Sequence, residues 1–286
     1  MINNRRQFLK KTSSAFLGIT IIPRDVMGKG FTAPSDRFNI GVIGLGAQSG
    51  GLIERMSKIP EARIIAGCDI HQKRLNRFRE LIAKEFKKYE IKGTALVYED
   101  FDKLIENSNI DGVVVSTPDH WHAIPSINAM KAGKHVYCEK PLSHTINEGR
   151  IMEKTARKYN RILQTGSMQR SRTDFRRACE LVRNGYLGKI EKVWVEVGNP
   201  SAACNLPFQE TPDYLDWDRW LGPAPARSYH DLIVEKDWFP NWRWYREFGG
   251  GILSDWGAHM FDIVQWALGM DNSGPVKYEA PIEPTA

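Results

Sequence analysis

Phe38-Asn39-Ile40-Gly41-Val42-Ile43-Gly44-Leu45-Gly46-Ala47-Gln48-Ser49-Gly50 reads FNIGVIGLGAQSG. Six residues of strand character run into glycines at 44 and 46, and small residues suited to a helix start follow. Gly44 permits a tight turn, and Gly46 lets backbone approach a pyrophosphate seated on the helix N-terminus. Ser49 stands where a third glycine is usual and is small enough for close packing. Glycine spacing alone is weak evidence. Asp69, however, ends a second apolar run 25 positions after Gly44, where a carboxylate can hold ribose hydroxyls. Together these features predict a dinucleotide-binding unit, with Gly44, Leu45, Gly46 and Asp69 in contact with the cofactor. Asp69 would repel a 2′-phosphate, which favours NAD over NADP; Lys73 and Arg74 weaken that preference without reversing it.

Outward from this stretch, short apolar runs alternate with helical periodicity. Strands are expected at 38–43, 63–68, 95–98, 112–116, 135–138 and 161–164. Helices are expected at Arg74 to Tyr89, Ile124 to Ala132 and Ile146 to Tyr159. Runs apolar on both faces, separated by helices, imply a parallel sheet covered on both sides, the doubly wound Rossmann architecture. Beyond Gly166 the texture changes. A helix from Thr173 to Arg183 precedes an alternating strand, Ile190 to Val197, then an aromatic irregular stretch and a glycine-led helix from Gly251 to Leu268. The expected fold is therefore α/β, divided into a leader (1–33), a Rossmann domain (36–165) and a C-terminal α+β domain (166–286) with an open, mostly antiparallel sheet. One clear strand cannot form a stable sheet domain, so the chain is expected to lack its C-terminal part.

The whole chain carries a formal charge of +6 over 286 residues. Residues 1–33 hold six basic side chains and one acid, a net of +5, which leaves +1 for the rest. Interspersed charge of that size gives no footprint for nucleic acid. No run reaches the ~18 to 20 apolar residues that cross a bilayer. The leader reads Arg5-Arg6-Gln7-Phe8-Leu9-Lys10, followed by a modestly apolar Ala15 to Ile22, as a twin-arginine export signal does. Val26-Met27-Gly28 is a passable cleavage site, so both removal and retention as an anchor are open. Cys68, Cys138, Cys179 and Cys204 form no CxxC pair or zinc spacing, and no metal is expected. An exported chain without disulfides suits a protein that folds before it leaves.

Three further motifs carry chemistry. Ser116-Thr117-Pro118-Asp119-His120-Trp121-His122 follows the fourth strand, and Cys138-Glu139-Lys140-Pro141 follows the fifth. Both fall where ligands bind in open α/β sheets. A lysine held on stiff backbone before proline would lie beside the nicotinamide. In Gly249 to Asp262, Asp255 and His259 are i and i+4 on a helix with Asp262 at i+7, so all three share a face. A carboxylate beside an imidazole orients it and raises its basicity. Trp217, Trp220, Trp238, Trp242, Trp244, Trp256 and Trp266 offer flat faces for sugar C–H surfaces, and Arg243 or Tyr245 could bind hydroxyls.

The order GLGAQSG, CD, STPDHWHA, AGKHVYCEKPL and GGGILSDWGAHMFD closely resembles the glucose–fructose oxidoreductase/inositol dehydrogenase (Gfo/Idh/MocA) family, from about Asn39 to Leu268. The resemblance implies hydride transfer between a sugar or cyclitol carbon and a bound nicotinamide. It assigns catalysis to Lys140, Asp255 and His259. It extends the cofactor contacts to Ser116, Thr117, Pro118, His122, Glu139, Lys140 and Gln169, and it adds Arg170 to Arg243, Tyr245 and His259 as substrate residues. A homo-oligomer formed through the C-terminal sheet is expected, with the export machinery as a second partner. The leader adds a requirement. Free nicotinamide would be scarce in the periplasm, so the cofactor is expected to be loaded before export, tightly held and recycled within the site. Two other readings compete. One is a glycosidase that uses NAD for transient oxidation, a branch resembled by the leader and the Trp121 stretch, although its tyrosine/threonine/histidine motif is not evident here. The other is a non-catalytic sugar-binding homologue, against which an intact Lys140, Asp255 and His259 argue.

Overall fold

The computed structural model describes residues 37–235 and 241–279. The leader, Trp238 and the last seven residues of the expected C-terminal domain lie outside these. β1 (Phe38–Ile43), β2 (Ala62–Cys68), β3 (Leu96–Tyr98), β4 (Gly112–Val115), β5 (His135–Cys138) and β6 (Leu163–Thr165) form one sheet in the order 3-2-1-4-5-6. Every pairing is parallel. The order reverses between β1 and β4, and that crevice is where such sheets bind ligands.

Side-chain alternation builds both faces. Val113 and Val115 of β4 point into one core with Leu104, Met130 and Met152; Val114 points into the other with Ile53, Phe78 and Phe86. Each such side chain contributes about 1.5–3 kcal/mol on burial. α1 (Ala47–Met56) and α2 (Gln72–Lys88) cover the second face. In α2 the buried Leu75, Phe78, Ile82 and Phe86 repeat at helical spacing. α3 (Phe101–Glu106), α4 (Ala123–Lys131) and α5 (Ile146–Lys158) cover the first face. α5 starts on a capping box in which Thr145 and Glu148 each bond the other's backbone N–H. The sequence pattern did not anticipate α3, a six-residue helix capped by Asp100 and too short to show periodicity. Cys68 and Cys138 are buried and free on β2 and β5.

After α6 (Thr173–Arg183) the chain has little regular structure. Ile190 to Val197 is not in a ladder, contrary to expectation. Trp194 on that stretch is 82% exposed. Two short helices, α7 (Trp217–Leu221) and α8 (Asp231–Val234), organise a third core of Trp217, Trp220, Tyr229, Ile233, Trp242 and Phe248. Trp217 and Trp220 stack at 4.9 Å and 11°. The expected helix over 251–268 is interrupted at Trp256, giving α9 (Gly251–Asp255) and α10 (Gly257–Ala267). The described residues from Phe38 onward cluster as one compact unit. Among the described residues no helix is long and apolar enough to cross a membrane.

Candidate active site

The carboxyl ends of β1, β2, β4 and β5 open onto a cleft of about 750 Å³, closed on its far side by α7–α10. Gly44 turns the chain out of β1 at φ +86°. A Cβ there would stand 2.7 Å from the Ser116 carbonyl carbon and the Thr117 nitrogen, so only glycine fits. The turn is tied across to β4 by Ser116 N–H to Ile43 O (2.8 Å) and Ser116 Oγ to Gly44 O (2.7 Å). Gly46, which caps α1, faces open space, where backbone and the helix dipole can receive a phosphate. Asp69 accepts from the N–H groups of Leu45 (2.7 Å) and His71 (3.0 Å), so its carboxylate is fixed at the cleft wall. Leu45, expected to contact the cofactor, is buried and does not line the cleft; its backbone N–H and carbonyl are taken by Asp69 and Arg77.

The arrangement fits a dinucleotide on a second ground. Of nine buried side-chain polar atoms without a hydrogen-bond partner among the described residues, four lie at one place: His71 Nδ1, Thr117 Oγ1, Gln169 Oε1 and His259 Nδ1. All four belong to residues lining the cleft. Native structures rarely leave such atoms unpaired unless a ligand or water meets them. Pro118 and Glu139 line it as well. Glu139 is buried and accepts from Gln48 Nε2 (3.1 Å) and the Tyr137 hydroxyl (3.3 Å), which brace β5 against α1.

His122 is a strut. Its ring nitrogens face Pro141 O at 2.7 Å and Thr117 O at 2.9 Å, joining the two strand-end motifs beside the cis Lys140–Pro141 peptide. Only an imidazolium could donate to both carbonyls. Burial pushes the ring's pKa down to about 4, so at neutral pH one N–H donates and the other contact lacks its proton. His120 likewise faces Trp220 O at 3.0 Å, and among the described residues no three His, Cys, Asp or Glu side chains are grouped to hold a metal ion.

Lys140 Nζ reaches across the cleft to Asp255, 2.6 Å from Oδ1 and 3.3 Å from the backbone oxygen. Arg243 Nε donates to the same Oδ1 at 3.3 Å. Asp255 thus orients Lys140, not His259 as the i, i+4 spacing suggested. The reason is electrostatic: a buried carboxylate gains more from two cations than from a neutral imidazole. Asp262, the third member of the expected shared face, turns away to Arg170. His259 is 4% exposed, and burial followed by the nearby Lys140 holds its pKa near 4. It is therefore neutral at pH 7, with a lone pair for a proton.

Two expected substrate residues do not line the cleft. Arg170 is held by Asp262 through two bonds of 2.7 Å and by Asp271 at 2.7 Å, with its guanidinium 5.5 Å over Trp266. Tyr245 packs against the aromatic core. Trp217 is likewise core, whereas Trp220, Trp242 and Trp256 of the expected set line the cleft, the first two as members of the aromatic core as well. One acid was overlooked. Asp119 is 4% exposed on the cleft wall, and burial followed by the Asp255 charge raises its pKa to about 8. Its signal was its position, an acid immediately after Pro118 in the middle of the motif that follows the fourth strand.

Residues 38–167 match a family profile described as an oxidoreductase family with an NAD-binding Rossmann fold, and residues 165–285 match the C-terminal alpha/beta domain of the same family, Gfo/Idh/MocA. Myo-inositol 2-dehydrogenase of Thermotoga maritima is 35% identical over 230 residues, 80% of this chain and 54% of that protein. A glycosyl hydrolase family 109 protein of Solibacter usitatus is 34% identical over 152 residues, 51% of this chain and 34% of that protein. The crystal structure of a probable dehydrogenase from Thermotoga maritima aligns with a TM-score of 0.53 at 26% identity, covering 81% of this chain and 55% of that chain. The chain spans about half the length of the first of these curated relatives and about a third of the second.

Proposed function

The chain belongs to the Gfo/Idh/MocA oxidoreductase family, and on that premise we propose that it transfers a hydride between a hydroxyl-bearing carbon of a sugar or cyclitol and a tightly held NAD. The observation that carries this reading is the convergence of Lys140, Asp255 and His259 on the mouth of the Gly44–Asp69 cradle. Lys140 has three N–H bonds; Asp255 takes two, which leaves one to donate to a substrate oxygen. Neutral His259 accepts the hydroxyl proton, and the Lys140 ammonium stabilises charge developing on that oxygen. Bound NAD supplies the acceptor for the hydride leaving the same carbon. Asp255 and Arg243 hold Lys140 in line. Trp256, half-exposed beside His259 with ring centroids 5.8 Å apart, offers a face for the sugar's C–H surface.

A second reading is favoured by the relatedness to glycosyl hydrolase family 109 proteins: transient oxidation by the same groups, followed by loss of an aglycone. A panel of free sugars, cyclitols and aryl-glycosides separates the two, with nicotinamide reduction and aglycone release followed together. Net reduction without release supports the dehydrogenase; release without net reduction supports the glycosidase. NAD is preferred to NADP because Asp69 faces the ribose position. Export through the twin-arginine route, with cofactor already bound, is part of the proposal, and NAD(H) released on denaturing periplasmic protein tests it. Self-association is read by light scattering.

A further inference from the structure

Residues 214–235 of the C-terminal half cross back over the β2 end of the cleft, the end that Asp69 marks for the adenosine. The crossing is fastened along its length. Gln72 N–H donates to Tyr214 O at 2.9 Å, and Leu215 bridges His71 in antiparallel fashion. Lys73 Nζ lies 3.5 Å from the centre of the Tyr214 ring, and the His71 ring lies 5.0 Å from it. Farther along, Trp121 Nε1 donates to Trp220 O at 2.8 Å beside the His120 contact, and Arg219 pairs with Asp100 at 3.7 Å. The Trp121 indole lies directly on Gly222, where a Cβ would stand 2.0 Å from the ring. At the far end Arg74 Nη2 donates to Val234 O at 3.0 Å, and His71 Nε2 meets Glu235 at 3.4 Å.

These fasteners bind one segment to three separate Rossmann elements: the β2–α2 turn, the start of α3 and the motif after β4. The segment also supplies part of the cleft wall, through Asp218, Arg219, Trp220 and Glu235. A ligand seated between Asp69 and this wall has protein on both sides. Lifting this segment away would break several of these contacts together.

We propose that residues 214–235 are a clasp that retains the adenosine half of the dinucleotide between turnovers. The clasp rests on the NAD reading above and supplies a physical reason for a cofactor that is recycled in place. Release is therefore limited by undocking of the clasp, and contacts outside the cleft control it.

Tyr214 does not line the cleft, so its replacement probes docking without removing a ligand contact. The full chain is loaded with NADH, and its displacement by excess NAD is followed through the fluorescence of the reduced nicotinamide. Tyr214→Ala is expected to speed release about tenfold or more, as loss of one or two such contacts would, and Tyr214→Phe to keep the wild-type rate. Should Tyr214→Ala fold poorly, as judged by circular dichroism, Tyr214→Leu retains a large apolar side chain while removing the aromatic ring. Release at the wild-type rate from a folded ring-deleted variant would overturn the clasp and leave NAD binding intact. A wild-type chain that takes up no NADH, by equilibrium dialysis, removes the cofactor reading first and the clasp with it.

Discussion

The two halves of this molecule hold their functional groups by different means. In residues 38–165 a continuous parallel ladder fixes the strand ends, and cores on either face lock them, so Gly44, Asp69, Ser116 and Lys140 are placed by backbone. In residues 166–279 there is no ladder among the described residues. An aromatic cluster and side-chain-to-backbone bonds, such as Arg227 to Cys204 O and Leu206 O, position the chain instead. The regular half therefore provides a cradle, and the irregular half provides the charged and aromatic groups that face it. The contrast locates where the proposed site is robust: its proposed cofactor contacts rest on hydrogen-bonded geometry, whereas the proposed proton-transfer geometry rests on packing.

The sharpest way to separate the halves is His259→Ala. Loss of the proton acceptor should lower hydride transfer about 10²–10⁴-fold, while dinucleotide uptake, measured by dialysis, stays near wild type. Equal loss of both would break the division of labour. Phe248→Ala comes next. Phe248 is fully buried between His120 and Trp220, and its truncation should cost about 3–5 kcal/mol in chemical denaturation. Turnover should fall well before NADH binding does.

The pH dependence tests the seam, where His120, His122 and Asp119 lie. The two histidines have pKa values near 4 in the fold against 6.5 ordinarily. The unfolded chain therefore binds protons first, so stability is full above 6.5 and falls as pH drops toward 4, on the order of 3 kcal/mol for each ring. Asp119 works in the opposite sense. Its pKa is raised from 3.8 to about 8, so the fold keeps a proton that the unfolded chain has lost, and stability falls as pH rises through that window. Asp119→Asn should raise the melting temperature at pH 8 and change it little at pH 4. The smallest effect belongs to the regular half. Thr145→Ala removes the capping box of α5 for about 1 kcal/mol and should leave turnover unchanged.

Much of the cradle could be read from residues alone, because turn chemistry is local. Gly44 needs a positive φ wherever it sits, and Asp69 follows from strand length. The pairing of Asp255 could not be read that way. Helical spacing offered His259 as its partner, but Lys140, 115 positions away, wins because opposite charges in a buried site outweigh proximity along a helix. Arg170 shows the same limit: Asp262 and Asp271 capture it, and no local pattern announces them.

The sequence by itself determined the parallel sheet, the site of the cradle at its carboxyl edge and the set of groups available for chemistry. These depend on periodicity and on the φ demands of single residues, which act over a few positions. Which carboxylate holds which cation, which tryptophans face the cleft, and the return of residues 214–235 over the Asp69 end of the cleft were settled by tertiary packing. Those outcomes depend on burial, and burial is set by chain segments a hundred residues apart meeting in one place.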